Sequence, residues 1–299
     1  MLNIVTIAID ICLLMVAVPW DWFIIFTMIS ERVRNKRLGR SEQLICVISA
    51  FNCFYYLIKV SRYLNLLLIM HSISIFSKKY KMGEFIFLLT MVSSKLWVSN
   101  WLCAYFCLKI VRVNHKFYIC LQRLFPKLCP WILIISIFVS FVLSLTEVCL
   151  NDEKLLDFPY NQNVSSNTVF QNVNFIAQVY IMFCLAAILI FIILALTIIG
   201  SLCRHMNRMK NNLNGTRISN VEAHVQASKT LVILLFTNVI WFNIANLLII
   251  DTPKGLNNVT PPLLTLNTLL SSVNLIRGNN TLKNKLSDIL ICLSCCSQA

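Results

Sequence analysis

The sequence predicts an all-α integral membrane protein, a single bundle of seven membrane-spanning helices with its N-terminus outside the cell. Three observations predict this class. The chain is 58% hydrophobic and only 13% charged, whereas a soluble domain carries charge on about a quarter of its residues. Its mean hydropathy is +0.75. Apolar runs recur along the 299 residues, each close to the roughly 20 residues needed to cross about 30 Å of hydrocarbon.

Seven such runs follow one another. The first begins at residue 2 and is too long for the apolar core of a signal peptide, so we expect it to be retained. The second carries Lys59 and Arg62 in its outer half, and the seventh is short and opens with two prolines, which a helix start tolerates. Ahead of a short tail, 277–299, the predicted spans are Leu2–Ile29, Leu44–Met70, Glu84–Val113, Leu128–Leu150, Phe175–Leu202, Val225–Ile250 and Pro261–Ile276.

Basic residues are distributed unequally between the connections. Of the 26 Lys and Arg, 18 lie at the inner ends of the runs or in the inner connections and the tail, seven lie on the opposite side, and Lys95 lies deep inside run three. The positive-inside bias therefore predicts a cytoplasmic tail and an outer N-terminus. The net charge of +14 is explained by a basic rim against the anionic inner leaflet of the lipid bilayer, so no nucleic acid partner is predicted.

Modification sites agree with this topology. Asn163 and Asn258 begin glycosylation sequons in the predicted outer loops. The 13 cysteines show no metal-ligand spacing, and those within spans are expected to be small packing residues. Cys292, Cys295 and Cys296 follow a short amphipathic stretch beside the membrane, which predicts S-palmitoylation. No metal or cofactor is predicted.

Four ordered motifs occur along the chain. They are WVSNWLCAYFCLKIVRVNHKFYICL in run three, SLCRHMNRM after run five, AHVQASKTL opening run six, and LIRGNNTLK after run seven. Together they resemble the type 2 (bitter) taste receptor family over essentially the whole chain. The matching positions are Trp97, Leu102, Tyr105, Phe106, Leu108, Lys109, Ile110 and His115; Ser201, Leu202, His205 and Met209; and Ala223, His224, Val225, Ala227, Lys229 and Thr230.

The resemblance implies a G-protein-coupled receptor fold in the plasma membrane. It also implies a small-molecule bitter agonist as ligand and a gustducin-like heterotrimeric G protein as partner. Within receptors, a vomeronasal type 1 pheromone receptor is the alternative. A transporter is a further alternative, for which broken helices and internal symmetry would be expected, and the chain has only 6 glycines.

An enzyme is not predicted. The four histidines lie in four separate regions of the chain, and the sequence has no HExxH motif, no GxSxG motif and no paired carboxylates. Without a nucleophile, base and orienting group near one another, the chain offers no catalytic residues.

Two charges deep in the apolar runs need a physical explanation. Lys95 lies 11 residues from Glu84, and Asp21 lies 11 residues from Arg32, so each is roughly 16 Å from the end of its span. A lone ammonium at that depth costs at least about 2.5–3.5 kcal/mol. We therefore predict that Lys95 and Asp21 face one another across the bundle, through Asn52. The alternative is an unpaired Lys95 lining a water-filled ligand cavity.

The agonist is expected in the outer half of the bundle, in an apolar cavity with few polar groups. A stripe on the third helix at i, i+3, i+4 spacing is the candidate lining, together with Trp241 of the sixth run, and ordinary helix packing is the alternative for each position. Val92 stands where the family has an Asn, so lipophilic agonists are expected. The stripe comprises Leu88, Leu89, Val92, Ser93 and Leu96.

Basic residues at the inner ends of three runs form a rim suited to an acidic G-protein helix. The alternative is interfacial snorkelling without a partner. The rim comprises Lys109, Arg112 and His115 after run three, His205 and Arg208 after run five, and His224 and Lys229 at the start of run six.

Overall fold

The computed structural model describes residues 2–35, 38–70, 78–111, 116–156, 175–211, 230, 232–234, 236–240 and 256–296. Each secondary-structure element within these ranges is an α-helix, which confirms the predicted all-α class. The helices are α1 (Leu2–Asn35), α2 (Arg40–Met70), α3 (Lys78–Ile110), α4 (Lys116–Leu156), α5 (Phe175–Asn211), α6 (helical at 230, 232–234 and 236–240), α7 (Leu256–Gly278) and α8 (Asn280–Cys296).

Five of the described helices are long and apolar enough to cross a membrane, which confirms a helical membrane bundle. The predicted sixth run falls largely outside the described residues. The predicted seventh run is helical, but α7 begins at Leu256, ahead of Pro261, and α4 begins at Lys116, ahead of the predicted start at Leu128. The five spans are Val5–Arg34, Arg40–Leu64, Met82–Ile110, Tyr118–Thr146 and Gln178–Ser201.

The central helix is α3, which packs against α2, α4 and α5, while α1 packs against α2 and α7. Of the apolar segment of α3, 67% is buried inside the bundle, against 22% for α4. Large apolar side chains of α4 such as Trp131, Ile134 and Phe138 therefore point outward. An outward apolar surface is what a helix facing lipid tails requires, because lipid offers apolar side chains the same environment as a protein core.

Cross-helix hydrogen bonds fix the direction of α4 against α3. The Tyr118 hydroxyl, near the start of α4, donates to the carbonyl of Cys107, near the end of α3, at 3.0 Å. Further along α4, the hydroxyl of Ser136 accepts from the indole N–H of Trp101, which lies earlier in α3. The two helices are therefore antiparallel, as consecutive helices of the predicted bundle must be.

The hydrogen bonds between α3 and α5 fix the relative direction of these two helices, which differs from that of α3 and α4. The Tyr180 hydroxyl donates to the carbonyl of Leu89 at 2.9 Å, and the Asn100 amide donates to the carbonyl of Ala187 at 2.8 Å. The N-terminal part of α5 thus contacts the N-terminal part of α3, and a later part of α5 contacts a later part of α3. These two helices are therefore parallel. Such alternation is the arrangement of a chain that crosses the same layer repeatedly.

The C-terminal helix α8 begins directly after α7 and packs against the bundle. The side-chain oxygen of Asn279 accepts hydrogen bonds from the backbone N–H groups of Thr281 at 2.9 Å and Leu282 at 3.3 Å. This is a helix N-cap, which satisfies two of the four N–H groups that a helix start leaves free. Leu282 is fully buried in the core cluster that includes α1, α2 and α3, so α8 lies against the bundle.

Gly278 is expected to tolerate no larger side chain. A Cβ atom there would lie 2.4–2.9 Å from Oγ1, Cγ2 and Cβ of Thr230 on α6, and a β-branched side chain cannot rotate away from such a contact. Overpacking of this kind costs typically about 1–3 kcal/mol, so Gly278→Ala should lower the thermal unfolding midpoint of the purified protein.

Gly200→Ala is the matched control, because a Cβ there would meet no atom within 4 Å. It should leave the midpoint unchanged or raise it, since Ala is favoured over Gly in a helix by up to about 1 kcal/mol. Equal effects of the two substitutions would contradict close packing between α6 and α7.

Candidate functional site

A buried carboxylate joins three helices at the middle of the bundle. Asp21 of α1 is fully buried, and its Oδ1 accepts a hydrogen bond from Asn52 Nδ2 of α2 at 3.1 Å. Its Oδ2 accepts from the Tyr56 hydroxyl at 2.8 Å. The hydroxyl of Ser272 on α7 lies 2.8 Å from both carboxylate oxygens and accepts from Asn52 Nδ2 at 3.1 Å.

Lys95 of α3 is the fifth member of this group, which we call the Asp21 network. Its Nζ donates to Asn52 Oδ1 at 2.9 Å, and both residues are buried, with 2% and 1% of their surface exposed. The amide of Asn52 therefore presents its carbonyl oxygen to the ammonium and its NH₂ group to the carboxylate of Asp21. Each charge fixes the same orientation of the amide, so Asn52 connects them as a polar relay.

The structure thus brings together the three residues that were predicted to share the intramembrane charge. The two further members, Tyr56 and Ser272, were missed, because a Tyr or Ser within an apolar run is common and its hydroxyl partner is not visible in the sequence. Beside them on α7 lies Ser271. It is buried, and its hydroxyl has no hydrogen-bond partner among the residues that the structure describes.

A second buried ion pair, which the sequence analysis missed, lies nearer the start of α1. The Lys59 ammonium lies 2.5 Å from Asp10 Oδ2, and both Thr265 and Tyr63 donate hydroxyl hydrogen bonds to Asp10. Lys59 also donates to Thr265 at 3.1 Å and lies 5.4 Å from the centre of the Tyr55 ring, a cation–π contact. We call these five residues the Asp10 network.

The two networks are stacked along one interface between α1, α2 and α7. Asp10 and Asp21 are eleven residues apart, and Asn52 and Lys59 are seven apart, as are the two hydroxyl residues of α7. At 100° per residue, two residues that are seven or eleven positions apart differ by about 20° around the helix axis, so they lie on the same face of their helix. The earlier Asp10 of α1 contacts the later α2 residue, Lys59, so α2 is antiparallel to α1. On α7, Asp10 contacts the earlier of the two hydroxyl residues and Asp21 contacts the later one, so α7 is parallel to α1.

The predicted agonist stripe falls on two faces of α3. Leu88 and Val92 belong to the hydrophobic cluster formed with α1, α2 and α7, whereas Leu89 and Leu96 belong to the cluster with α4 and α5. Ser93 donates a hydrogen bond to the Leu89 carbonyl of its own helix at 3.1 Å. Neighbouring helix positions differ by about 100°, so a stripe that includes both 88 and 89 covers a wide arc.

Of the predicted basic rim, Lys109 is described and exposed in the last turn of α3. His205 and Arg208 belong to α5, and the structure describes their backbone alone. These residues stay predictions as a G-protein contact. The other predicted residues of the rim and of the agonist cavity lie outside the described residues, and they are Arg112, His115, His224, Lys229 and Trp241.

Some of the predicted modification sites are likewise described by the structure, and others lie outside the described residues. Asn163 lies outside the described residues, and Asn258 lies in the first turn of α7. Cys292 is exposed on α8, while Cys295 and Cys296 end that helix. Glycosylation and acylation of these residues stay predictions.

Comparison with known proteins identifies the family. The family model described as "Taste receptor protein (TAS2R)" matches residues 1–294. Among curated proteins, the chain is 32% identical over 149 residues to "Taste receptor type 2 member 41" of Rattus norvegicus, which covers 48% of each chain. It is 29% identical over 167 residues to the protein of the same name from Gorilla gorilla gorilla, covering 54% of this chain and 53% of the relative.

A third relative, "Taste receptor type 2 member 2" of Homo sapiens, is 28% identical over 148 residues, 47% of each chain. The chain thus spans about half the length of the curated relatives it matches. Unlike those pairwise matches, the family model extends over nearly all of the sequence, and the family consists of receptors rather than enzymes, as predicted. The chain therefore belongs to the TAS2R family of taste receptors.

Proposed function

We propose that the protein is a bitter taste receptor of the plasma membrane, which binds a small lipophilic agonist between its helices and activates a gustducin-like heterotrimeric G protein. The observation that carries this proposal is the family match over residues 1–294. A helical bundle by itself would not indicate a function, because one fold serves many activities. The type 2 taste receptors among the relatives support the same assignment.

The agonist class follows from the residues of α3. Val92 is buried within an apolar cluster, at the position where the type 2 family carries an Asn. An apolar lining gains free energy from apolar ligand surface, at about 25 cal/mol per Å² buried, and offers few partners to polar groups. A polar agonist would therefore lose its water hydrogen bonds there without replacement, which favours lipophilic compounds.

The Asp21 network is suited to couple such an agonist to the cytoplasmic side. Lys95 lies on α3 between Val92 and Lys109, and its bond to Asn52 connects α3 with α1, α2 and α7. An agonist that displaces α3 must lengthen or rearrange this bond. The exposed Lys109 at the end of α3 would then shift relative to the other helix ends, where the G protein is expected.

The experiment is calcium release in cells that co-express the full chain with a gustducin-like chimeric G protein, challenged with a panel of bitter compounds. We expect responses to lipophilic members of the panel, and no response in cells that lack either the receptor or the chimera. Activation by charged, hydrophilic compounds alone would contradict the agonist class. A silent panel despite normal surface expression would contradict the receptor function itself.

A further inference from the structure

We propose that the first turns of α4 form a binding site for the headgroup of an anionic phospholipid of the inner leaflet. The site is a groove of about 290 Å³ on the side of α4 that faces away from the bundle. Three basic and three uncharged residues line it: Lys116, Ile119, Cys120, Arg123, Leu124 and Lys127.

The orientation of this groove is fixed by the opposite face of the same helix. The Tyr118 hydroxyl donates to the Cys107 carbonyl at 3.0 Å, and the Gln122 amide donates to the Leu108 carbonyl at 3.1 Å. Phe125 continues this inward face and is buried in the core. The residues that line the groove are offset from these by about half a turn, so they point away from α3.

The charge of the groove is uniformly positive. Lys116, Arg123 and Lys127 are exposed, and α4 carries no acidic residue before Glu147. The ion pairs found among the described residues involve other side chains. Arg123 and Lys127 lie one turn apart, about 6 Å along the axis, which suits two oxygens of one phosphate group. Lys116 lies two turns earlier and can reach a second phosphate.

The surroundings favour a lipid over a soluble phosphate or a protein. The groove lies at the end of the candidate span that begins at Tyr118, and with the predicted orientation this end is cytoplasmic. Beyond it along α4, Leu128, Trp131 and Ile135 are 39%, 66% and 59% exposed. A headgroup held by the cations would therefore place its acyl chains along an apolar surface.

The test is native mass spectrometry of the full chain released from phosphatidylcholine nanodiscs that contain phosphatidylinositol 4-phosphate. The variant Lys116→Gln/Arg123→Gln/Lys127→Gln is compared with Arg34→Gln/Arg204→Gln/Lys283→Gln, which removes the same charge from exposed positions on the same predicted side. One basic residue near an anionic surface contributes about fivefold in affinity. We therefore expect at least about a tenfold loss of bound lipid in the first variant, and retention of the lipid in the second.

Equal losses in both triple variants would overturn the proposal, because they would indicate a diffuse attraction of the whole basic rim. Competition by soluble inositol 1,4-bisphosphate as effective as the lipid itself would overturn the role of the acyl chains. The thermal unfolding midpoint of each variant confirms folding. The single variant Arg123→Gln, if the triple variant fails to fold, should lose lipid about fivefold, and no loss would overturn the site.

Discussion

Replacing Lys95 by Met is expected to lower the stability of the receptor by about 3 kcal/mol, and Asp21→Asn should have an effect of similar size. Removal of one partner of a buried ionic network leaves the other charge uncompensated, which typically costs about 3–5 kcal/mol. Both residues are buried, and Asn52 hydrogen-bonds to each of them. The double variant removes both charges and should therefore lose less than the sum of the two single variants.

The measurement is a double-mutant cycle on the thermal unfolding midpoint of the purified receptor, with the surface-expressed fraction in cells as a second readout. A coupling of about 0.5–3 kcal/mol is the range seen for residues in one network. Lys283→Met makes the same substitution at an exposed position of α8 and should change neither readout. A double variant no better than the sum of the singles would show that Lys95 and Asp21 are not coupled.

Asn52→Leu provides an independent test of the relay. It removes both the acceptor of Lys95 and a donor to Asp21 while keeping the number and branching of the side-chain heavy atoms. In that background the cycle between Lys95 and Asp21 should lose most of its coupling. A coupling that persists unchanged would mean that the two charges interact without the amide.

The connection of Lys95 to Asp21 could be predicted because a charge in hydrocarbon is expensive enough to require a partner. Few residue types can supply that partner, and only a partner at a similar depth in its own span can reach the charge. The all-helical membrane class was predictable for a related reason: a chain so poor in charge cannot cover a soluble surface, and only helices satisfy every backbone group within one apolar segment.

The Asp10 network could have been found from the same physics. Asp10 lies in an apolar run and is eleven residues from Asp21, while Lys59 is seven residues from Asn52. Together these spacings repeat the pairing of the first network along the same helix faces. Lys59, however, lies in the outer half of its predicted span, where a lysine can reach water, so its position in the sequence does not by itself require a buried partner.

The division of the α3 stripe could not have been predicted from α3 alone. Periodicity indicates which residues share a face, but it does not indicate which helix covers that face. Leu88 meets α1, α2 and α7, while its neighbour Leu89 meets α4 and α5, because α3 lies at the centre of the bundle. In a central helix nearly all faces are buried, so hydrophobic patterning no longer distinguishes a ligand cavity from packing.

Replacing Lys59 by Met is expected to lower the stability of the receptor by at least about 3 kcal/mol. The ammonium lies 2.5 Å from the fully buried Asp10 carboxylate, which among the described residues would keep the hydroxyl donors of Tyr63 and Thr265. Addition of Asp10→Asn should recover much of the loss, because replacement of both partners of a buried pair is often nearly neutral. The thermal unfolding midpoints of the two single variants and the double variant measure this recovery.

Arg62→Gln is the matched control, three residues further along α2. Arg62 Nε lies 2.9 Å from Glu84 Oε1, but the Arg62 side chain is 57% exposed, and exposed pairs contribute about 0–1 kcal/mol. The same loss of one positive charge should therefore be costly at Lys59 and nearly silent at Arg62. If both substitutions lowered the midpoint equally, burial of the Asp10 network would not be what stabilises the α1–α2–α7 interface, and net charge at the outer end of α2 would explain both effects.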